Sequence, residues 1–375
     1  MQYSASQLDR IDDARQRVLA QIEERDQSFR DHRVTTEPWA TVVRMQRYVR
    51  TLAAEDLLDI RVHVDPFIGT LSANFYLNKD AGLLPLYEYF GEGVSPEHWA
   101  YEPEIPSLAG RDYGLRVNGR LLNDVAVTYQ RYICNLRRTG ILEWAQGGIV
   151  LEIGAGHGGF AHLFAEQCAC RYVIVDLPET LFFSAVFLTV HGAGKRIYVY
   201  RPGDDLKKQL AEALDFVLIP DYRADALRAL PELRLAINHV SFPEMETEVL
   251  RRYLRVIKDR LHGYLVAVNY RSTPGRTPVD TVLSEFFELA PSMDQVRAIA
   301  GDAVDHITCR PTMIGCSDDA ARRRLAGKAT RDAIDTTGTR YSCRFTETDC
   351  ALVVTSPPPE GFLRRIYRRF RALLR

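Results

Sequence analysis

The strand-like run Ile149–Ile153 leads directly into Gly154-Ala155-Gly156-His157-Gly158-Gly159, and helix-forming residues follow at once. So many glycines let the chain turn tightly and leave backbone amides open to a ligand. A second strand over residues 172–175 ends on Asp176, where an acid suits a ribose diol. Strand, turn, helix, strand and acid together describe a pocket for a nucleoside-bearing cofactor at the C-terminal edge of a parallel sheet.

The turn is not G-x-x-x-x-G-K-[ST], which argues against a nucleoside triphosphate. Gly154, Gly156 and Gly159 do match the dinucleotide spacing G-x-G-x-x-G, a weak signal by itself. Glu152, two residues before the first glycine, argues against a dinucleotide, because a carboxylate repels a pyrophosphate. It suits a cationic ligand, and S-adenosylmethionine carries both an ammonium and a sulfonium.

Strands continue to alternate with helices beyond the turn. Further strands are expected at 197–200, 216–219, 235–238 and 264–269, with helices at 180–190 and 246–261. Parallel crossovers need such helices. The expected fold is therefore α/β and Rossmann-like, with a mostly parallel sheet. A final strand pair is read around 341–344 and 350–355. Residues 1–145 read as a mainly helical domain for substrate, capping or dimer contacts. Its helices are expected near residues 8–22, 39–58 and 121–142. Residues 146–357 form the cofactor domain and 358–375 a basic amphipathic helix.

Composition excludes several classes. The 375 residues carry a formal net charge of −1, so no global field draws nucleic acid. The first thirty residues are polar and charged, unlike a secretion signal, and no apolar run approaches a membrane span. Seven scattered cysteines have no framework spacing, which suits reduced thiols and a cytoplasmic location. His306, Cys309 and Cys316 are a weak metal seed, and no metal is predicted.

The run Glu152–Gly159 resembles the first motif of class I S-adenosylmethionine-dependent methyltransferases, and Val175-Asp176-Leu177-Pro178-Glu179 resembles their second. A third stretch, Asn238-His239-Val240-Ser241-Phe242-Pro243-Glu244-Met245, resembles the fourth-strand segment of a sugar O-methyltransferase family. The resemblance covers roughly residues 120–270. It implies a sheet with an antiparallel final strand, with which the pair around 341–344 and 350–355 is compatible. It also implies S-adenosylmethionine as cofactor and S-adenosylhomocysteine as product. The implied cofactor contacts are Glu152, Gly154, Ala155, Gly156, Gly158, Asp176 and Leu177, with Asp221 toward the adenine amino group and Asn238 beside them. His157 and His239 depart from the residues common at those places in the family.

Methyl transfer to a weakly acidic sugar hydroxyl needs an in-line approach and a base. His239, just past the fourth strand, is the first choice, because an ordinary histidine pKa of about 6.5 suits proton acceptance near neutrality. Glu244 is the second choice, as base or as orienting acid; the alternative is a cap for the following helix. Ser241 and Asn238 either bind substrate hydroxyls or hold the loop. Asp204 and Asp205 read as a turn and a helix cap. A divalent metal activating a diol is an alternative without a compact carboxylate pair to compel it.

Aromatics crowd residues 65–101: Phe67, Phe75, Tyr76, Tyr87, Tyr89, Phe90, Trp99 and Tyr101. They are read as an acceptor wall, with Tyr76 as its representative, or as core; Tyr129 and Arg131 are further acceptor candidates. After three prolines, residues 361–375 place six arginines opposite an apolar stripe. Such a helix suits an anionic membrane surface, or a docking face on its own domain or a dimer partner. Methylation of a non-sugar natural product and a non-catalytic scaffold are the alternatives to a sugar O-methyltransferase.

Overall fold

The structure is a computed structural model, and it describes residues 5–29, 46–54, 83–104, 114–192, 194–269, 276–290, 312–331, 333–334, 340–345 and 350–355. In chain order its elements begin with helices α1 (Ala5–Ser28), α2 (Gln46–Thr51) and α3 (Leu83–Gly91). The hairpin β1 (Leu115–Val117) and β2 (Arg120–Leu122) follows, then α4 (Asp124–Thr139) and α5 (Ile141–Ala145). The α/β part runs β3 (Ile149–Ile153), α6 (Gly159–Gln167), β4 (Arg171–Asp176), α7 (Pro178–His191) and β5 (Ile197–Val199). It continues with α8 (Leu206–Ala211), β6 (Phe216–Pro220), β7 (Leu233–His239), α9 (Thr247–Arg260) and β8 (Leu261–Val268). Last come α10 (Val279–Ser284), β9 (Leu289–Ala290), β10 (Thr312–Cys316), α11 (Asp319–Leu325), β11 (Ala333–Ile334), β12 (Arg340–Phe345) and β13 (Cys350–Thr355).

Two compact units share the chain. One combines residues 1–79, 102–125 and 146–233; the other combines 80–101, 126–145 and 234–375. One division falls between residues 145 and 146, and residues 1–145 are shared between the two units.

The first unit holds four strands in the spatial order β5-β6-β4-β3, every neighbouring pair parallel. β3 and β6 are buried along their whole length, as parallel strands covered on both faces must be. α7 is buried from Pro178 to Thr189, with Phe182, Phe183 and Phe187 at 1% exposure or less. A helix apolar on every side needs a second cover, and α1 supplies it. Ile11, Ala14, Val18 and Ile22 recur at helical spacing on its buried face. Arg10 donates to the Thr189 carbonyl, and Gln21 donates to the Tyr200 carbonyl at 2.6 Å.

The second unit holds four further strands in the order β7-β8-β10-β9. β10 runs antiparallel to both β8 and β9. The antiparallel edge of the expected fold is therefore present, but Thr312–Cys316 forms it. The strands expected there, β12 and β13, join β11 in a separate antiparallel sheet. The expected helix over 121–142 is also interrupted: residues 120–122 belong to a hairpin, and Gly140, at φ 74°, separates α4 from α5. The part of the 39–58 helix outside residues 46–54 lies outside the described residues.

Candidate functional site

In the first unit the turn after β3 is fixed on several sides. The Gly154 amide donates to the Val175 carbonyl at 2.8 Å, and Gly158 donates to the Ala155 carbonyl at 3.0 Å. Ser184 on α7 donates to the Gly156 carbonyl at 2.7 Å. Gly154, Gly156 and Gly158 take φ values of 75°, 58° and 82°, the left-handed region that a Cβ penalises. A Cβ on Gly158 would lie 3.3 Å from Ser184, whereas one on Gly156 would meet nothing within 4 Å. The loop thus presents bare backbone to open space at Gly156.

Asp176 closes β4 beside that opening. Its Oδ2 accepts from the Gly156 amide at 3.0 Å and its Oδ1 from the Leu177 amide at 2.8 Å. Burial pushes the carboxyl up to about 8; the two amides oppose the shift, and Asp221 and Glu152 add to it. Asp221 follows Pro220, which is in register with Asp176 across the β4–β6 pair. Glu152 is 1% exposed and accepts from the Tyr172 hydroxyl at 2.9 Å. Three acids around one strand edge disfavour a diphosphate and favour a ligand with cationic groups. A carboxylate at a strand end beside a left-handed glycine turn can accept from the two hydroxyls of a ribose. The residues present therefore fit S-adenosylmethionine.

Sequence reasoning missed the contribution of α1 to this neighbourhood. Arg25 is 2% exposed, and its two terminal nitrogens each donate to a Glu179 oxygen at 2.9 Å. Glu179 is fully buried two residues after Leu177. The Arg25 charge also interacts with Asp221. Next to Asp221, Tyr222 turns toward α1: its hydroxyl lies 2.8 Å from Glu24 Oε2, and its ring is 4.9 Å from that of Phe29. One signal was available. Arg25 continues the apolar face of α1 one turn beyond Ile22, and a charge on such a face needs a buried partner.

In the second unit the end of β7 carries the candidate base. The Asn238 amide nitrogen donates to Ser241 Oγ at 2.6 Å, and its oxygen accepts from the Phe242 amide at 3.3 Å. Asn238 and Ser241 thus hydrogen-bond within the loop that follows β7. Between them Val240 sits at φ 71°, a left-handed conformation rare for a β-branched residue. Its amide donates to the Val268 carbonyl at 2.9 Å. Such local strain concentrates at functional sites.

The His239 ring stacks on Tyr132 of α4, with centroids 4.0 Å apart and planes 10° apart. The Arg131 guanidinium carbon lies 5.0 Å from the centre of the same tyrosine ring. Tyr132 was not among the sequence candidates. Glu244 ends the 3-10 turn Phe242–Glu244, and the position capping α9 belongs to Glu246, so Glu244 is not that cap. Tyr129 is half-buried on α4.

Of the described residues of the aromatic stretch, Trp99 and Tyr101 are half-buried. Tyr87, Tyr89 and Phe90 are buried. The Tyr87 hydroxyl donates to the Ala100 carbonyl, and its ring meets Trp99 edge-on at 5.1 Å. Tyr76, Phe67 and Phe75 lie outside the described residues, as do the tail, His306 and Cys309. His157 is 4% exposed and packs edge-on against Phe187. Asp205 caps α8 by accepting from Lys208, and Asp204 accepts from the Tyr198 hydroxyl, as expected of a turn. Among the described residues no group of three or more His, Cys, Asp or Glu is arranged to hold a metal ion. No helix among them is long and apolar enough to cross a membrane.

No family model matches the chain, and no curated protein does. Solved structures do. Precorrin-6y C5,15-methyltransferase from Geobacter metallireducens is 16% identical, over 40% of this chain and 71% of that one, with a TM-score of 0.28. Magnesium protoporphyrin IX methyltransferase from Synechocystis, solved with bound S-adenosylhomocysteine, is 12% identical, over 56% and 90%, at 0.28. Human N-acetylserotonin methyltransferase, in complex with S-adenosylmethionine, is 9% identical, over 75% and 74%, at 0.29. At these values the likeness fixes neither a family nor a substrate.

Proposed function

We propose that this chain is an S-adenosylmethionine-dependent O-methyltransferase acting on a sugar hydroxyl, in a glycan, a sugar nucleotide or a glycosylated metabolite. The observation that carries the reading is the Asp176 carboxylate at the end of β4, hydrogen-bonded to the amide of Gly156 in a left-handed turn that faces open space. S-adenosylmethionine, when bound, supplies an electrophilic methyl group. Asp176 accepts from its ribose hydroxyls, the bare backbone at Gly156 lets it approach, and the acids Glu152 and Asp221 favour its positive charge. His239 takes the proton of the attacking hydroxyl, and Tyr132 holds the imidazole plane.

The sugar acceptor rests on the resemblance of residues 238–245 to a sugar O-methyltransferase segment. Incubating the full chain with S-adenosylmethionine and a panel of glycosides, sugar nucleotides and polysaccharides tests it, with methylated sugar and S-adenosylhomocysteine read by mass spectrometry. Methylation confined to phenols would replace the sugar by an aromatic natural product. The basic tail is the proposed membrane contact. It predicts binding to anionic vesicles that disappears on truncation at Pro359, and equal binding by the truncated chain would remove that role.

A further inference from the structure

We infer that the side chain of Asn269 binds the acceptor, taking a pair of neutral hydroxyls. This rests on the methyltransferase reading and names a residue on the acceptor side of it. Asn269 is the first residue past β8 and is 1% exposed. Among the described residues neither its Oδ1 nor its Nδ2 has a hydrogen-bond partner. Two unmet polar groups on one buried amide are unusual, because native folds pair nearly all of them.

The other buried asparagines of this unit behave differently. Asn238 uses both ends of its amide within its own loop. Asn135 donates to Thr312 and the Arg331 carbonyl and accepts from Arg138 and the Arg331 amide.

The place of Asn269 matters as much as its burial. The carbonyl of the preceding Val268 accepts from Val240, the left-handed residue that follows His239. Unmet hydrogen bonds and backbone strain therefore meet at neighbouring strand ends, next to the histidine stacked on Tyr132. A carboxamide needs a partner that both donates and accepts. Phosphate and carboxylate groups only accept and would leave Oδ1 unmet; ammonium groups only donate and would leave Nδ2 unmet. Adjacent hydroxyls of a neutral sugar or polyol satisfy both atoms.

The test uses the full chain with saturating S-adenosylhomocysteine. The probes are methyl α-D-glucopyranoside, methyl α-D-galactopyranoside and methyl α-L-rhamnopyranoside, read by saturation-transfer NMR. Asn269→Leu keeps the branched shape at somewhat larger volume and removes both polar ends; Asn269→Ala covers the case in which leucine does not fit. The expected result is transfer to at least one pyranoside in the native chain, with affinity weakened by about three- to tenfold or more in both variants. S-adenosylhomocysteine affinity stays the same, and the ligand-free melting temperature of Asn269→Leu is equal or higher. Unchanged pyranoside binding in the variants, or a lowered melting temperature in Asn269→Leu with cofactor affinity intact, would overturn the inference, the latter marking a structural amide. Cofactor binding without any pyranoside transfer in the native chain would overturn it too. Loss of cofactor binding by the native chain would instead sink the methyltransferase reading.

Discussion

The Gly156 amide donates to the Asp176 carboxylate at 3.0 Å, joining a left-handed glycine turn after one strand to the last residue of the next. Asp176 is buried, and burial with two neighbouring acids holds its carboxyl at about 8. Ribose hydroxyls would donate to its ionised form. Below about pH 8 the cofactor must therefore displace a proton, and affinity falls as pH drops, by up to about tenfold per unit. Calorimetric titration with S-adenosylhomocysteine from about pH 6 to about pH 9 checks this; a flat profile contradicts it.

The same shift has a stability consequence of definite sign. An unfolded aspartate ionises near pH 3.9, so between there and about 8 the folded chain binds more protons than the unfolded one. This group's contribution to stability is complete below the lower value and is lost as pH rises through the upper. The ligand-free melting temperature should bear a component that falls over this window and that Asp176→Asn removes. Identical pH slopes in the two proteins would contradict the buried, protonated state.

Arg25 and Glu179 form a buried bidentate pair between α1 and α7. Arg25→Ala leaves a buried carboxylate without its cation, at a cost of about 3–5 kcal/mol. Urea unfolding measures it. A loss close to zero would mean that α1 does not cover α7 in solution.

Gly156 and Gly158 separate conformation from space. Both need positive φ, but a Cβ on Gly158 presses on Ser184 whereas one on Gly156 enters open space. Alanine at either position costs about 1–2 kcal/mol through backbone strain. Gly156→Val should abolish S-adenosylhomocysteine binding while the chain still folds. Retained affinity would remove Gly156 from the cofactor surface.

His239→Ala should reduce turnover by about 10²–10⁴-fold with cofactor affinity unchanged. Tyr132→Phe keeps the stacked ring and should leave turnover close to native; Tyr132→Leu removes it and should lower turnover with an altered pH profile. Full turnover in His239→Ala would assign the proton to another group.

The glycine turn and Asp176 were legible because a short run of sequence encodes them: strand, positive-φ residues, helix, strand end. The role of α1 was not legible in the same way. Its partner Glu179 is 154 residues away, and only a charge on an apolar helix face hinted at a buried counterpart. The antiparallel edge was misplaced because residues 350–355 look at least as strand-like as Thr312–Cys316, and strand propensity does not say which sheet a strand joins. Tyr132 was passed over because one buried tyrosine on an amphipathic helix looks like any other until its neighbour is known. Asn269 reads as an ordinary strand terminus until its missing partners are counted.

The most direct measurement is calorimetric titration of the native chain and of Asp176→Ala with S-adenosylmethionine and S-adenosylhomocysteine. The predicted result is binding in the micromolar range, about −8 kcal/mol, that disappears in the variant while its secondary structure stays intact. No binding by the native chain, or equal binding by both, would contradict the cofactor site.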